Sequence, residues 1–323
     1  MSESRKERRQ KEEKSKKRRP GWGCAGIVIL IIIVAIGLLI WKVYSDVRET
    51  TDVIHTPVNY EQVREPQGVL DEKESFSILL LGIDTGEYGR TEQGRSDTMM
   101  MVTVNAKDNR STIFSIPRDT YVEIPAYGMD KINHAYAFGG ASLSIDTVQN
   151  LFQVPVDYYV SVNMQGLEDI INVLGGITVT PTVSFSQDGY TFVEGQPITV
   201  DGEGALAYAR NRYDDPSGDY GRQARQRQII ITAVREIASF STVTNFQGVL
   251  GTLEDNVETN ASFDEMLSMF NNYLGAVGQI EEYQISGTGD YLNGVYYDFL
   301  SDETLYEVRT MMQEELQYAP GTE

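Results

Sequence analysis

The apolar positions of the chain fall into distinct patterns that predict different structures. Residues 21–41 form one apolar run without a charged residue. Between residues 77 and 181, shorter runs rich in β-branched and aromatic residues end at Gly, Pro, Asn or Asp, which is typical of strands. Between these runs, apolar residues recur every three or four positions, which is typical of helices that pack on a core. Because strands and helices alternate, the sequence predicts an α/β domain with a mixed central sheet flanked by helices.

The patterns also give approximate bounds for individual elements. Strands are predicted at residues 77–84, 99–106, 111–117, 157–163 and 177–181. Helices are predicted at residues 142–152, 164–174, 202–209, 221–238, 261–280 and 301–317. Residues 283–299, which lie between the last two helices, are predicted to contain a strand and a turn. We expect the last two helices to pack on the same domain, because each has an N-cap Ser followed by acidic residues and then periodic Leu and Met.

Residues 21–41 are predicted to cross a membrane as one helix. At about 1.5 Å per residue the run spans about 31 Å, which matches the hydrocarbon core of a bilayer. Residues 1–20 contain ten Lys or Arg, so the positive-inside rule places this tail in the cytoplasm and the rest of the chain outside. A signal peptide usually has a shorter apolar region and a cleavage site, so we interpret the run as an uncleaved anchor. The polar residues 42–74 are interpreted as a stalk.

The charge balance limits the classes of partner and of chemistry. The chain has 47 Asp and Glu against 27 Lys and Arg, a net charge of −20. Since the tail holds ten of the bases, the outer part is more acidic still, which argues against nucleic acid as a partner. One Cys and two His nearly exclude a Cys/His zinc site and leave few candidates for a Ser-His triad. The chemistry must therefore rely on carboxylates, arginines, lysines, hydroxyls or an added metal.

Against this background, five arginines lie within eighteen residues: Arg210, Arg212, Arg222, Arg225 and Arg227. On a helix that begins at Gly221, Arg222, Arg225 and Gln226 share one face, whereas Arg227 points away. A local group of cations in an acidic body is the pattern expected of a site for a compact, multiply charged anion. The alternative is a surface lattice of ion pairs with neighbouring aspartates, each of which contributes little to stability.

Other charged residues come at predicted strand ends. Asp84 ends one strand, and Asp97 precedes the next, with Arg95 close to it. Carboxylates at adjacent strand ends can share a hard cation, and a site with few carboxylates suits Mg²⁺. By itself this signal is weak, because an aspartate at a strand end often only caps a turn. Arg118 and Asp119 follow a third strand, so further charge is expected at the same edge of the sheet.

Several ordered motifs between residues 76 and 238 resemble those of one known family. The motifs are LLLGID, RSDTMM, SIPRDT, KINHAY, VLGGI, ALAYARNR and GDYGRQARQRQ. In this order and spacing they resemble the LytR-CpsA-Psr family, membrane-anchored enzymes of bacterial, mainly Gram-positive, cell-wall assembly. The basic tail followed by one anchor resembles the same family. The resemblance implies a catalytic domain at residues 75–240, and the helix patterns predict that residues 241–323 form an extension packed on it.

The resemblance also implies an activity, a cofactor and site residues. Such enzymes act outside the cytoplasmic membrane as phosphotransferases. They move a glycopolymer, for example wall teichoic acid or capsular polysaccharide, from a polyprenyl-pyrophosphate carrier to the C6 hydroxyl of N-acetylmuramic acid in peptidoglycan. By similarity, Asp84 and Asp97 would hold Mg²⁺. The pyrophosphate ligands implied are Arg95, Arg118, Lys131, Arg210, Arg212, Arg222, Arg225 and Gln226. The catalytic residues implied are Arg118, Asp97 and Asp219, with Asp219 orienting the cations.

Physical chemistry favours the same activity. Breaking a pyrophosphate requires neutralisation of charge and an in-line acceptor, and it needs no strong protein nucleophile. We therefore expect direct attack by the sugar hydroxyl, with Asp97 or Asp119 as the base. Two alternatives remain open: a pyrophosphatase that hydrolyses the lipid-linked glycan, and a non-catalytic binding or regulatory protein. A transcriptional regulator is disfavoured, because the acidic domain is expected outside the membrane.

Overall fold

The computed structural model describes residues 53–84, 94–211, 215–239 and 256–321. The predicted tail and anchor lie outside these ranges, as do Arg212 and residues 42–52 of the predicted stalk. Within the described ranges, no helix has both the length and the apolar character that a membrane span requires.

The described residues contain fourteen strands and seven helices. The strands are β1 (Phe76–Ile83), β2 (Ser96–Asn105), β3 (Arg110–Ile116), β4 (Tyr121–Ile124), β5 (Gly128–Lys131), β6 (Tyr158–Asn163), β7 (Ile177–Val179), β8 (Phe185–Gln187), β9 (Tyr190–Phe192), β10 (Ile198–Val200), β11 (Val257–Thr259), β12 (Ile280–Gln284), β13 (Thr288–Leu292) and β14 (Val295–Phe299). The helices are α1 (Pro66–Asp71), α2 (His134–Phe152), α3 (Met164–Val173), α4 (Gly202–Arg210), α5 (Gly218–Ser239), α6 (Phe263–Val277) and α7 (Asp302–Leu316).

A six-stranded sheet in the order β11-β6-β1-β2-β3-β12 forms the centre of the fold. β2 is antiparallel to both β1 and β3. β6 is parallel to β1, and β12 is parallel to β3. The sheet is therefore mixed, and it is flanked by helices, which confirms the predicted α/β class.

Alternating residues of the inner strands pack on opposite faces of the sheet, as the period of two requires. Leu79 and Leu81 of β1 point to the face covered by α2 and α7, where Val148 and Val308 are fully buried. On the other face, Met100 of β2 packs with Ile113 and Ile231, the latter from α5. Burial on this scale stabilises the fold by about 1.5–3 kcal/mol for each large aliphatic side chain.

A smaller apolar cluster beside the sheet fixes the position of α4 and α5. Residues of α3, α4 and the short strands β7 to β10 surround Tyr208 and Ile229, both of which are buried. α4 begins at the N-cap Asp201, whose side chain accepts a hydrogen bond from the backbone N–H of Gly204 at 2.9 Å. This cluster connects the arginine-rich segment rigidly to the domain.

Two hairpins lie against each other near the end of β3. β4 pairs with β5, and β13 pairs with β14. The backbone N–H of Asp298 donates to the carbonyl of Asp119 at 2.9 Å. The ring of Tyr121 packs on Tyr297 and Phe299, with centroid distances of 4.8 and 5.2 Å. The C-terminal hairpin is therefore part of the same structure as the turn that carries Arg118.

Candidate active site

Arg118 lies in the turn directly after β3. This turn is closed by Thr120, whose backbone N–H and hydroxyl both donate to the carbonyl of Pro117, at 3.1 and 2.6 Å. The Arg118 guanidinium contacts three carboxylates. They are Asp97 at 2.9 Å, Asp119 at 3.6 Å and Asp219 at 3.9 Å. Asp97 belongs to β2, Asp119 to the β3–β4 turn and Asp219 to the first turn of α5. The edge of the sheet and the start of the helix therefore meet at Arg118.

Burial and charge act in opposite directions on this guanidinium. Burial alone lowers the pKa of Arg118, but the charges of Asp97, Asp219 and Asp119 outweigh burial and raise the pKa above its ordinary value. Arg118 is therefore permanently cationic, and three acceptors restrict its position. Such a preorganised cation can stabilise developing negative charge with little reorganisation.

Two further cations are held by the same carboxylates. Lys131 Nζ contacts Asp119 Oδ1 at 2.6 Å, and Arg222 Nη2 contacts Asp219 Oδ1 at 2.5 Å. The Asn133 side-chain amide donates to Asp97 Oδ1 at 3.0 Å. Asp219 thus contacts both Arg118 and Arg222, and its predicted role in orienting the cations stays a prediction.

A cavity of about 720 Å³ opens above these side chains. It is lined by Pro117, Arg118, Asp119, Lys131, Pro216, Ser217, Gly218, Asp219, Tyr220, Tyr291, Tyr296 and Asp298. Its wall combines two cations, three carboxylates and three tyrosines. A cavity of this size is in the range that holds a drug-sized or small oligosaccharide ligand.

The two predicted metal ligands lie at one edge of the sheet. β1 ends at Ile83, which pairs with Ser96 at the start of the antiparallel strand β2. Asp84 comes directly after the end of β1, and Asp97 is the second residue of β2. Asp84 Oδ1 accepts from the backbone N–H of Arg95 at 2.7 Å. Among the described residues, no three His, Cys, Asp or Glu side chains form a metal site by themselves. Mg²⁺ usually takes only one or two carboxylates and completes its shell with water and phosphate, so this donor set fits Mg²⁺.

Arg225 lies away from the cavity lining, in the interior. Its side chain is 1% exposed and forms an ion pair with Asp215. Its guanidinium also donates to the backbone carbonyls of Tyr208 and Asn211. Gly221 makes room for this pair, because a Cβ at that position would clash with the Asp215 carboxylate. Since Asp215 precedes Pro216 and Ser217 of the cavity wall, Arg225 holds that wall in place.

The remaining predicted ligands take different positions. Arg210 is 43% exposed and lies 4.0 Å from Asp188 of the β8–β9 turn. Gln226 follows Arg222 by one helical turn, and its buried Oε1 accepts no hydrogen bond within the described residues. Arg227, which the helix pattern excluded, is buried against the sheet, where it donates to Ser115 at 2.7 Å. The predicted contacts of these side chains with pyrophosphate stay predictions.

The sequence patterns missed part of the cavity wall. Tyr220, Tyr291, Tyr296 and Asp298 all line the cavity. Three of them belong to the hairpin between residues 288 and 299, which was predicted only as a strand and turn. The signal was its composition, since the segment is rich in tyrosine around an Asn-Gly turn.

The mixed sheet and the cation-carboxylate cluster at its edge define an α/β protein with a charged cavity at one end of the sheet. The chain belongs to the LytR_cpsA_psr family, which matches residues 38–314. This confirms the resemblance given by the sequence motifs.

Relatives of known name share most of the chain. A protein from Enterococcus faecalis (strain ATCC 700802 / V583), named polyisoprenyl-teichoic acid–peptidoglycan teichoic acid transferase TagU, is 46% identical over 292 residues, covering 90% of this chain and 95% of the relative. The crystal structure of B. subtilis TagU is 41% identical, has a TM-score of 0.62 and covers 76% of this chain and 99% of that one. A solved structure described as TagT bound to LIIa-WTA is 32% identical in sequence to this chain, with a TM-score of 0.66. The match covers 81% of this chain and 100% of that one.

Proposed function

We propose that this protein transfers an anionic glycopolymer from a polyprenyl-pyrophosphate carrier to the C6 hydroxyl of N-acetylmuramic acid in peptidoglycan. The observation that carries the proposal is Arg118, which is held by three carboxylates in the wall of a large cavity. The relatives named as teichoic acid transferases support teichoic acid as the class of polymer.

The site residues fit a direct transfer. The acceptor hydroxyl oxygen forms a bond to the glycan-linked phosphorus, and the bond from that phosphorus to the bridging oxygen breaks. The carrier leaves as polyprenyl phosphate, and the hydroxyl proton passes to the Asp97 or Asp119 carboxylate. Arg118 and Lys131 neutralise the charge on the phosphates. Their carboxylate partners fix them in place, so little reorganisation accompanies the reaction.

Mg²⁺ is proposed as the cofactor. Asp84 and Asp97 would hold the ion, because a carboxylate oxygen that accepts one hydrogen bond can also act as a ligand through its second lone pair. When bound, Mg²⁺ supplies charge neutralisation at the pyrophosphate oxygens.

The proposed location follows from the sequence. Residues 21–41 are proposed to anchor the chain in the cytoplasmic membrane, with residues 1–20 in the cytoplasm and the domain outside. In this proposed topology the domain would act on the side of the membrane where peptidoglycan is assembled.

The test is an assay of product with the full-length chain in detergent. A polyprenyl-pyrophosphate teichoic acid glycan, radiolabelled in the sugar, is incubated with uncrosslinked peptidoglycan with and without Mg²⁺. We expect label in the peptidoglycan, released by cleavage of a phosphodiester, and much less label when Mg²⁺ is chelated.

Other outcomes favour the other functions. Label released as soluble glycan phosphate, at a rate independent of added peptidoglycan, would support the pyrophosphatase. Tight binding of the donor without either product would support a binding protein. Equal transfer with and without the metal would remove Mg²⁺ from the proposal but leave the transfer in place.

A further inference from the structure

The hairpin formed by β13 and β14 carries two kinds of side chain on opposite faces. The strands turn at Asn293 and Gly294, whose φ angles are 52° and 81°, as a two-residue hairpin turn requires. Tyr291 pairs directly with Tyr296, and directly paired residues of antiparallel strands share a face. Since side chains alternate along a strand, Asp298 lies on the same face as Tyr296.

The opposite face of the hairpin attaches it to the domain. Tyr297 and Phe299 pack on Tyr121 of β4, and Lys131 lies 5.7 Å above the ring of Tyr297. This arrangement fixes the hairpin, so that its tyrosine face has a defined position at the cavity.

Two glycines make room for the side chains of the tyrosine face. A Cβ at Gly289 would clash with the ring of Tyr296, and a Cβ at Gly287 would clash with Asp298 Oδ1. Tyr296 therefore lies flat across the backbone of the neighbouring strand. The local sequence GTGDY is suited to present an aromatic surface and a carboxylate together.

The tyrosines are exposed, although they are large. Tyr291 is 70% exposed and Tyr296 is 41% exposed, and their ring centroids lie 5.6 Å apart at an interplanar angle of 72°. Both rings line the cavity that Arg118 and Lys131 also line. The cavity thus has one side with the carboxylate-paired cations Arg118 and Lys131, called the cationic side, and an aromatic side.

Asp298 lines the same cavity, and only one of its carboxylate oxygens has a hydrogen-bond partner among the described residues. Its Oδ2 accepts from the Tyr220 hydroxyl at 2.7 Å. Its Oδ1 is buried and accepts no hydrogen bond from the described part of the chain. Burial, more than the nearby charges of Asp119 and Asp219, raises the pKa of this carboxyl. A buried acceptor without a partner is costly, so a ligand hydroxyl that donates to Oδ1 would be favoured there.

The charge of this wall selects the type of ligand. The carboxylates beside Arg118 are paired with cations, whereas Asp298 accepts only from the Tyr220 hydroxyl within the described residues. A carboxylate without a cationic partner repels phosphate, and aromatic rings favour flat, partly apolar surfaces with polar edges. A pyranose ring with a free hydroxyl meets both requirements, whereas the phosphates of the donor fit the Arg118 side.

We propose that the hairpin forms the subsite for the acceptor saccharide, in which Tyr291 and Tyr296 stack on a pyranose ring and Asp298 accepts a hydrogen bond from its hydroxyl. This inference rests on the proposed transfer. It assigns the two reactants to different walls: the donor pyrophosphate to the cationic side and the acceptor sugar to the hairpin.

The test compares substitutions of two exposed tyrosines in the full-length chain. Tyr291→Ala removes a ring of the proposed subsite, and Tyr291→Phe retains the ring. Tyr306→Ala is the matched control, because Tyr306 is 74% exposed on α7. In the transfer assay, we expect Tyr291→Ala to raise the KM for uncrosslinked peptidoglycan about five- to tenfold, the size of one lost aromatic contact. The KM for the donor should not change, and Tyr306→Ala should behave as wild type. Because Tyr291→Phe keeps the ring, its KM for peptidoglycan should rise less than that of Tyr291→Ala.

The outcomes separate this inference from the proposed function. If transfer occurs and Tyr291→Ala leaves the acceptor KM unchanged, or raises the donor KM instead, the acceptor subsite is wrong while the function stands. If wild type transfers nothing, binding of soluble uncrosslinked glycan strands decides. Weaker binding by Tyr291→Ala but not by Tyr306→Ala would support the subsite, and equal binding by both would overturn it.

Discussion

At the scale of single residues, the arginines of the cluster have different roles. Arg222 contacts Asp219 beside the cavity, whereas Arg225 is buried with Asp215 behind the wall. The sequence placed both on one helical face, because residues three apart lie on the same side of a helix. It did not separate them, because Asp215, the partner of Arg225, comes from the segment before α5, and its contact with Arg225 depends on the tertiary fold.

The buried pair of Arg225 and Asp215 gives a prediction about stability. Asp215→Asn leaves the Arg225 charge buried without its partner, so we expect a loss of about 3–5 kcal/mol in the free energy of unfolding. Asp188→Asn is the matched control, because Asp188 is 43% exposed and lies 4.0 Å from Arg210. A change within about 0.5 kcal/mol is expected for that control. Urea denaturation measures both variants, and equal effects would contradict the role assigned to Arg225.

The same pair gives a prediction about pH. Burial alone would raise the pKa of Asp215, but hydrogen bonds from Arg225 and Ser217 outweigh burial and lower the pKa below its ordinary value. The unfolded chain therefore binds more protons between the two pKa values, and the stabilisation disappears as the pH falls through the folded value. We expect the stability difference between wild type and Asp215→Asn to be largest at neutral pH and to shrink below about pH 4. A difference that is constant from pH 7 to pH 3 would disprove this linkage.

At the scale of elements, the strands and helices with strong apolar patterns were predicted well. β1, β2, β3, β6 and β7 correspond to the five predicted strands, and α6 and α7 to the last two helices. The edge strands β11 and β12 were missed, because they are short or polar and join the sheet mainly through backbone pairing.

The helix α2 shows a different kind of error. It begins at His134 rather than at residue 142, because it continues across a kink at Gly139 and Gly140. Gly140 has φ 64° and ψ −153°, a conformation that is essentially restricted to glycine. The sequence indicated only the regular part after the kink.

The kink gives a prediction that compares two glycines. Gly140→Ala should destabilise the protein by about 1–3 kcal/mol, because alanine is strained in that conformation. Gly68→Ala is the control, because Gly68 lies in α1 and a Cβ there meets no atom within 4 Å. We expect Gly68→Ala to be neutral or to stabilise by up to about 1 kcal/mol. Thermal denaturation distinguishes them, and a neutral Gly140→Ala would show that the kink is not required.

At the scale of the whole molecule, the C-terminal residues complete the fold. β11 pairs with β6 and β12 pairs with β3, so residues beyond 256 supply both outer strands of the central sheet. α7 covers one face of that sheet, and the hairpin of β13 and β14 lines the cavity. The motifs alone placed the catalytic residues between residues 75 and 240, because the C-terminal contribution is made by packing and backbone pairing rather than by a distinctive motif.

Truncation tests this dependence. A chain that ends at residue 239 would expose the edges of β6 and β3 and the apolar faces covered by α6 and α7. We expect it to show no cooperative thermal unfolding. A chain that ends at residue 319 retains the helices and strands that the structure describes and should unfold as wild type does. Cooperative unfolding of the shorter chain at the wild-type temperature would show that residues 256–321 are a separate appendage.

The central claim is that the cavity at Arg118 carries out the transfer, and one kinetic comparison tests it most directly. The measurement is the single-turnover rate of label transfer to uncrosslinked peptidoglycan by Arg118→Ala and Arg110→Ala. The control residue Arg110 lies at the other end of β3, where it pairs with Glu315. We predict that Arg118→Ala lowers the rate about a hundredfold or more, because it removes one preorganised cation that would stabilise the negative charge of the phosphate in the transition state. Arg110→Ala should retain the wild-type rate. Similar rates for Arg118→Ala and wild type would contradict the account.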